Sequence, residues 1–329
     1  MEMSIKNKFW NNKNVLVTGH EGFLGSHLTK NLNSRGANVI GLDLVLGRKN
    51  TVLTNTDRKQ IIAIKGDVAD YKLVNSIIKK YKIKFVFHLA AEAIVGKCLI
   101  HPLAAFSSNI CGTWNILEAC RNSKQVQSIV IASSDKAYGS HKDLPYNEDL
   151  ALMGKHPYDV SKSCADLIAH AYSYTYGLPA VVTRCGNIFG PGEYHYSRII
   201  PDAIRCALRG KTLLIRSNGR YTRDYIYVDD IVEGYTLLAE NTKKLNLNGE
   251  AFNFSNEKPI TVLKLVKTIY RSASKKTNYK ILNHAKYEIK HQYLSSLKAR
   301  KILNWKPKYS LEKSLAKTIE WYKDKNDKK

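Results

Sequence analysis

Thr18-Gly19-His20-Glu21-Gly22-Phe23-Leu24-Gly25 closes a short apolar run, Asn14-Val15-Leu16-Val17, and opens a stretch of helical periodicity at Ser26-His27-Leu28. The glycine spacing is the turn of a dinucleotide site. Glycine is needed there because the turn is tight, the backbone must approach a pyrophosphate closely, and the helix that follows presents its positive end to the anion. Gly19, Gly22 and Gly25, with Phe23 and Leu24 between them, are therefore candidate cofactor contacts. Three glycines alone occur by chance, so the flanks decide: a strand before, a helix after, and Asp43 ending the second apolar run. A carboxylate at that place accepts from a ribose 2′-hydroxyl and repels a 2′-phosphate, which favours NAD over NADP. Arg48 and Lys49, a few residues on, are the basic groups that could oppose this preference.

Outward from this turn, apolar runs at 14–18, 38–43, 61–64, 85–89, 128–132 and 180–184 alternate with amphipathic stretches. That alternation predicts an α/β chain, a Rossmann-type doubly wound parallel sheet with helices on both faces. After Gly186 the pattern becomes irregular, which predicts a smaller mixed C-terminal substrate lobe. The expected division is 1–185 for the NAD-binding part, with 223–245 returning to it, and 186–222 plus 246–329 for the lobe.

The 329 residues are 44% hydrophobic and 24% charged, enough to bury a full core and too apolar for disorder. The formal net charge is +24, and from Glu257 onward 20 Lys/Arg face only 6 Asp/Glu. These lysines are scattered through amphipathic sequence without the aromatic interleaving of a nucleic-acid module, so they read as a solvated basic face attractive to anionic substrates; a polyanion or membrane-surface role is the alternative. Residues 323–329 read as a frayed tail. The opening Met1–Trp10 has no apolar signal core and no window approaches the ~18 apolar residues of a membrane span, so the cytoplasm is expected. Cys98, Cys111, Cys120, Cys164, Cys185 and Cys206 stand singly, without Cys-x-x-Cys or paired histidines; they read as reduced core thiols, and no metal is expected.

Two further stretches carry chemistry. Tyr158 and Lys162 lie at i, i+4 after His156-Pro157, on one face of a helix. An ammonium and a positive nicotinamide both favour phenolate, so Tyr158 can act as a base. Ser134-Asp135-Lys136 ends the run at 128–132 and places a hydroxyl, a carboxylate and an amine together. An acid and a base beside a redox pair can eliminate water as well as oxidise.

With Thr18–Gly25, Gly66-Asp67, His88-Leu-Ala-Ala-Glu92, Asn109, Gly112-Thr113, Ser133–Gly139, Tyr158–Lys162, Arg184–Gly192, Arg223–Asp230 and Lys298–Pro307, the chain resembles over nearly its whole length the extended branch of the short-chain dehydrogenase/reductase superfamily, the sugar-nucleotide epimerases and 4,6-dehydratases. Within it, Asp-Lys after the serine is closest to the CDP-glucose 4,6-dehydratases. Arg223–Asp230 is nearer the dTDP-glucose enzymes.

The resemblance implies that Asp67, Val68, Leu89, Ala90, Ala91 and Asn109 border NAD with Tyr158 and Lys162. It further implies that Asn187 and Arg223 meet the substrate diphosphate, with Glu92, Ser134, Arg198 and Arg216 as further substrate contacts. A homodimer through the helices containing Thr113–Arg121 and Lys162–Tyr176 is also implied. The expected reaction is C4 oxidation by Tyr158 with Ser134, removal of the C5 proton by Lys136, protonation of the departing C6 hydroxyl by Asp135, and return of the stored hydride to C6. Asp135-Lys136 as a mere salt bridge, and a 4-epimerase using the same Tyr158 and Lys162, are the alternatives.

Overall fold

Parallel strands covered by helices on both faces bury alternate side chains in two different layers, and β1 shows this directly. Val15 and Val17 enter a core layer with Leu28, Leu32, Ile231, Tyr235 and Leu238, while Leu16 between them enters the opposite layer with Val74, Ile77, Ile116 and Leu117. The computed structural model describes residues 9–284 and 289–326. Its central strands are β1 (Asn14–Thr18), β2 (Asn38–Asp43), β3 (Ile62–Lys65), β4 (Phe85–His88), β5 (Ser128–Ala132) and β6 (Ala180–Cys185), within a residue of the expected runs at each end. A seventh strand, Ala251–Phe254, completes a sheet ordered β3-β2-β1-β4-β5-β6-(251–254), parallel throughout. The order reverses between β1 and β4. In open α/β sheets that reversal leaves a crevice at the carboxyl ends of the strands, which is where ligands bind.

The expected division assigned this seventh strand, with the rest of 246–329, to the lobe. Helix Val228–Asn241 packs Ile231, Tyr235 and Leu238 against Val130, Val181 and Phe252. Ala251–Phe254, expected in the lobe, pairs instead with β6, Phe252 beside Thr183 and Asn253 beside Arg184. A four-residue strand so far along the chain offers too little periodicity to be seen.

The lobe has its own core, built from helices Ile199–Arg209, Val262–Ser272 and Leu311–Asn326 over the paired strands Leu213–Ile215 and Tyr279–Ile281. Helix Leu311–Asn326 takes in the first part of the stretch expected to fray, and residues 327–329 lie outside the described ones, as does the chain start through Lys8. Buried aspartates tie the lobe to the sheet. Asp224 accepts from the Ser255 hydroxyl and from the Asn256, Glu257 and Lys258 N–H groups. Asp230 accepts from Lys308 N at 2.7 Å and Tyr309 N at 3.4 Å, and Trp305 donates to its carbonyl. Arg223–Asp230 and Lys298–Pro307, far apart in sequence, are thus parts of one joint.

Candidate active site

A cleft of about 1360 Å³ opens at the strand carboxyl ends, between sheet and lobe. A pocket for one drug-sized ligand is roughly 300–1,000 Å³, so this one has room for two ligands end to end. Its wall includes every expected site residue but one: Gly19, Gly22, Phe23, Leu24, Gly25, Asp43, Asp67, Val68, Leu89, Ala90, Ala91, Tyr158 and Lys162 on the cofactor side, and Glu92, Ser134, Asp135, Lys136, Asn187, Arg198, Arg216 and Arg223 on the substrate side.

The glycine turn is built so that no side chain fits it. Gly19 has φ +71°, and a Cβ there would stand 2.9 Å from the Ala90 nitrogen; one on Gly25 would stand 2.0 Å from the Gly19 carbonyl oxygen. Helix Phe23–Ser34 starts at this turn with Gly22 as its cap, so its first N–H groups face the cleft. Asp43 is 7% exposed and accepts from Glu21 N and Val45 N, each at 3.1 Å. Arg48 turns onto Asp43 at 3.3 Å. Glu21 is buried and holds Arg58 in a two-pronged pair. Burial would raise the Glu21 carboxyl, but Arg58 and the Gly47 N–H hold it below the ordinary value. Arg48 and Arg58 therefore face carboxylates, as suits hydroxyls better than a phosphate. Turn, helix end and carboxylate fit a dinucleotide.

Asn109 departs from expectation. It is buried, gives its amide to the Glu92 carbonyl and the Ser161 hydroxyl, accepts from Glu92 N at 2.8 Å, and is not part of the cleft wall. It shapes the Ala91-Glu92 loop from behind. A directed chain runs to it from the glycine turn. Thr18 accepts from Leu89 N and Ala90 N, which leaves its hydroxyl proton for His88 Nδ1 at 2.9 Å. His88 Nε2–H then faces Thr113, whose own hydroxyl donates to the Asn109 carbonyl at 2.6 Å. This assigns the Nε2–H tautomer of a neutral ring.

Burial, reinforced by Lys162, depresses His88 to about 3. Between the ordinary value near 6.5 and 3 the unfolded chain binds a proton that the folded chain refuses. The stability is complete above pH 6.5 and is lost as pH falls, on the order of 4 kcal/mol by pH 3 at ~1.4 kcal/mol per unit. Urea unfolding between pH 7 and 4 should therefore be steeper in pH for the wild type than for His88→Gln. Equal slopes would exclude His88 as the source.

Helix Pro157–Tyr176 begins with proline at its first position and brings Tyr158 and Lys162 to the cleft one turn apart. The Lys162 amine donates to the Ala132 carbonyl at 2.8 Å, and burial pushes it down to about 8. Tyr158 differs from expectation: burial pushes its phenol up to about 12, opposed by the Ser134 hydroxyl and Arg198. With these neighbours alone the phenol stays protonated, and a positive group bound beside it would lower it.

Ser134 caps a single 3-10 turn, Asp135–Tyr138, accepting from Lys136 N at 3.2 Å and donating to Asp135 Oδ1 at 3.1 Å. Asp135 is 6% exposed, and its Oδ2 lies 3.6 Å from Lys136 Nζ. Burial holds the Lys136 amine below the ordinary lysine value; Asp135 and Asp159 oppose this and Arg223 adds to it. The ion pair weighed as an alternative to catalysis is present, though long. It is compatible with a base that must lose its proton. Beneath the turn Arg184 pairs with Asp166 at 2.7 and 2.9 Å and lies over the Tyr138 ring, a rigid support.

On the substrate side Arg223 donates to the carbonyls of Thr222 and Lys290, Arg198 pairs with buried Glu193 at 3.0 Å, and Asn187 donates to the Asp224 carbonyl. Glu92 accepts from Ile94 N, and Arg216 is exposed at the rim. Among the cleft residues without an expected role are Asp159 and His195. Asp159, buried in the first turn of the Tyr158 helix, lies inside the stretch Tyr158–Lys162 and is readable there; His195 follows Glu193 in a loop of no recognisable pattern.

A family model described as GDP-mannose 4,6 dehydratase matches residues 16–318. The chain is 31% identical to dTDP-glucose 4,6-dehydratase 1 of Escherichia coli, over 94% of this chain and 92% of that protein. It is 30% identical to the UDP-glucuronate 4-epimerase of Thermodesulfobacterium geofontis, over 94% and 96%. It spans 47% of a trifunctional UDP-glucose 4,6-dehydratase, epimerase and reductase of Arabidopsis thaliana, at 28% identity. The crystal structure of dTDP-glucose 4,6-dehydratase from Bacillus anthracis in complex with NAD superposes with a TM-score of 0.85 at 28% identity, covering 96% of this chain and 98% of that one.

Proposed function

From the premise that the chain belongs to the family described as GDP-mannose 4,6 dehydratase, within the nucleotide-sugar dehydratases and epimerases, we propose that it is an NAD-dependent nucleotide-sugar 4,6-dehydratase acting on a CDP-glucose-like hexose. The observation that carries this reading is Asp135-Lys136 on the cleft wall beside Tyr158, a buried carboxylate and an amine held below its ordinary pKa. NAD would lie along Gly19–Gly25 and Asp43, and supplies a reversible two-electron acceptor beside the sugar. Tyr158 and Ser134 hold and take the 4-hydroxyl proton. The resulting ketone acidifies C5, Lys136 removes that proton, and Asp135 protonates the 6-hydroxyl as it leaves. Asn187, Arg198, Arg216 and Arg223 would hold the diphosphate end, drawing on a basic surface that attracts anions.

A 4-epimerase is the second reading, favoured by relatives of equal identity and by a Tyr158-Lys162 pair that serves either reaction. Incubation with CDP-, dTDP-, UDP- and GDP-glucose separates the two. A 4-keto-6-deoxy product, seen by its alkaline absorbance, is expected, with CDP-glucose turned over best; a product that has changed only at C4 would sink the dehydratase reading. The proposal includes a homodimer. Helices Gly112–Ser123 and Pro157–Tyr176 expose Trp114, Leu167 and Tyr174 at 44%, 58% and 86%, an apolar face that a second copy would cover. Sedimentation of the same sample should give twice the 37.3 kDa chain mass, and a monomer at assay concentration would remove that part.

A further inference from the structure

Nothing in the sequence marks Gln292, yet the structure seats it against the Asp135-Lys136 pair. Strand His291–Gln292 runs parallel to Thr222–Arg223, with Gln292 beside Arg223. The Gln292 side chain is 1% exposed. Its Oε1 accepts from Lys136 Nζ, and its Nε2 donates to the Asp135 carbonyl at 2.8 Å. Both ends of one buried amide are spent on two consecutive residues of the opposite wall. A buried amide so satisfied is fixed in orientation, because turning it would leave a donor and an acceptor unpaired.

We infer that Gln292 is a positioning residue for the elimination step, holding the Lys136 amine at the cleft wall through an acceptor that carries no charge. The inference rests on the reading of Lys136 as the C5 base. A base must offer a lone pair, so whatever grips it must not also hold it protonated. The charged groups facing Lys136 are Asp135 on its own turn, Asp159 from helix Pro157–Tyr176 and Arg223 from the neighbouring strand. The two carboxylates favour ammonium, while Arg223 and burial favour amine. A glutamate at 292 would add a third carboxylate and tip that balance; an amide grips without tipping it.

As a neutral amine, Lys136 can direct one N–H to Gln292 Oε1 and the other toward Asp135 Oδ2, which leaves its lone pair for the substrate. In the step itself the C5–H bond breaks and its proton passes to Nζ. Asp135, entering the step as the carboxylic acid and leaving it as the carboxylate, gives its proton to the departing oxygen as the C6–O bond breaks, releasing water, and the C5=C6 double bond forms. Gln292 keeps its bond to the new ammonium, so no group has to move between the two states.

The test compares wild type, Gln292→Glu and Gln292→Met on a sugar nucleotide that the wild type dehydrates, following NADH formation and elimination separately across pH. Gln292→Glu is expected to form NADH at the wild-type rate but to eliminate about tenfold more slowly near neutral pH, its acid limb moved up by about one unit. Gln292→Met, with neither grip nor charge, should slow elimination ~10-fold or more without moving that limb. Wild-type elimination rates and pH profiles in both variants would overturn the inference, as would equal slowing of both steps, the mark of a merely structural residue. If Gln292→Glu does not fold, judged by thermal melting, the two rates of Gln292→Met decide in the same way. A wild type that leaves C6 hydroxylated on every sugar nucleotide overturns the dehydratase reading instead, and is recognised before any variant is made.

Discussion

Lys136→Met is expected to form NADH when mixed with its sugar nucleotide and then to stall, with the 4-keto-6-deoxy product reduced by ~10³-fold or more. Methionine keeps the length and the apolar stem of lysine, so the turn capped by Ser134 should survive; only the amine that meets Gln292 and Asp135 is lost. Oxidation at C4 does not use that amine, and for this reason the two half-reactions separate. The decisive measurement is the exchange of C5 hydrogen with deuterated solvent during the stall. Exchange should disappear with Lys136, whereas loss of Asp135 should preserve it, since protonating the leaving group comes after C5 is open. Full turnover by Lys136→Met would reduce Asp135-Lys136 to a salt bridge 3.6 Å long and remove Lys136 from the mechanism.

Tyr158→Phe should act one step earlier and stop NADH formation itself. A positioned acid or base contributes about 10²–10⁴ in rate, and Tyr158 has no obvious understudy: Ser134 already donates to Asp135, and Lys162 donates to the Ala132 carbonyl. Cofactor binding, followed by protein fluorescence quenching, should survive, because phenylalanine fills the same space between Cys98 and Ala105. The pH dependence follows from burial. Tyr158 is pushed up to about 12 and Lys162 down to about 8, so as pH rises through 8 the lysine loses the charge that would favour phenolate. C4 oxidation in the wild type should therefore climb with pH only as far as about 8 and then flatten or fall. A rate still rising tenfold per unit above pH 9 would show that Lys162 plays no electrostatic part.

Much of the site is written in short segments. Gly19, Gly22 and Gly25 are glycines because a Cβ there would press on backbone a few residues away or on the loop that follows β4, and Tyr158 and Lys162 share a face because a helix turns every 3.6 residues. Asn109 is hard to place for a local reason as well. A motif records that an amide is needed near the cofactor loop, and does not say whether it faces the ligand or holds the loop from behind. Arg48 can meet a 2′-phosphate or a carboxylate as far as sequence goes, and the fold turns it onto Asp43.

Periodicity, turn chemistry and the spacing of Ser134-Asp135-Lys136 from Tyr158 are properties of near neighbours along the chain, and from them follow the parallel sheet, the dinucleotide turn and the presence of an acid and a base beside a redox tyrosine. The protonation of Tyr158, the seventh strand at Ala251–Phe254, the joint made by Asp224 and Asp230, and the grip of Gln292 on Lys136 are set by segments distant in sequence that meet only in the folded chain. Their sequence separation, 156 residues for Gln292 and Lys136, leaves no pattern in the chain, because hydrogen bonding and desolvation depend on distance in space rather than along the backbone.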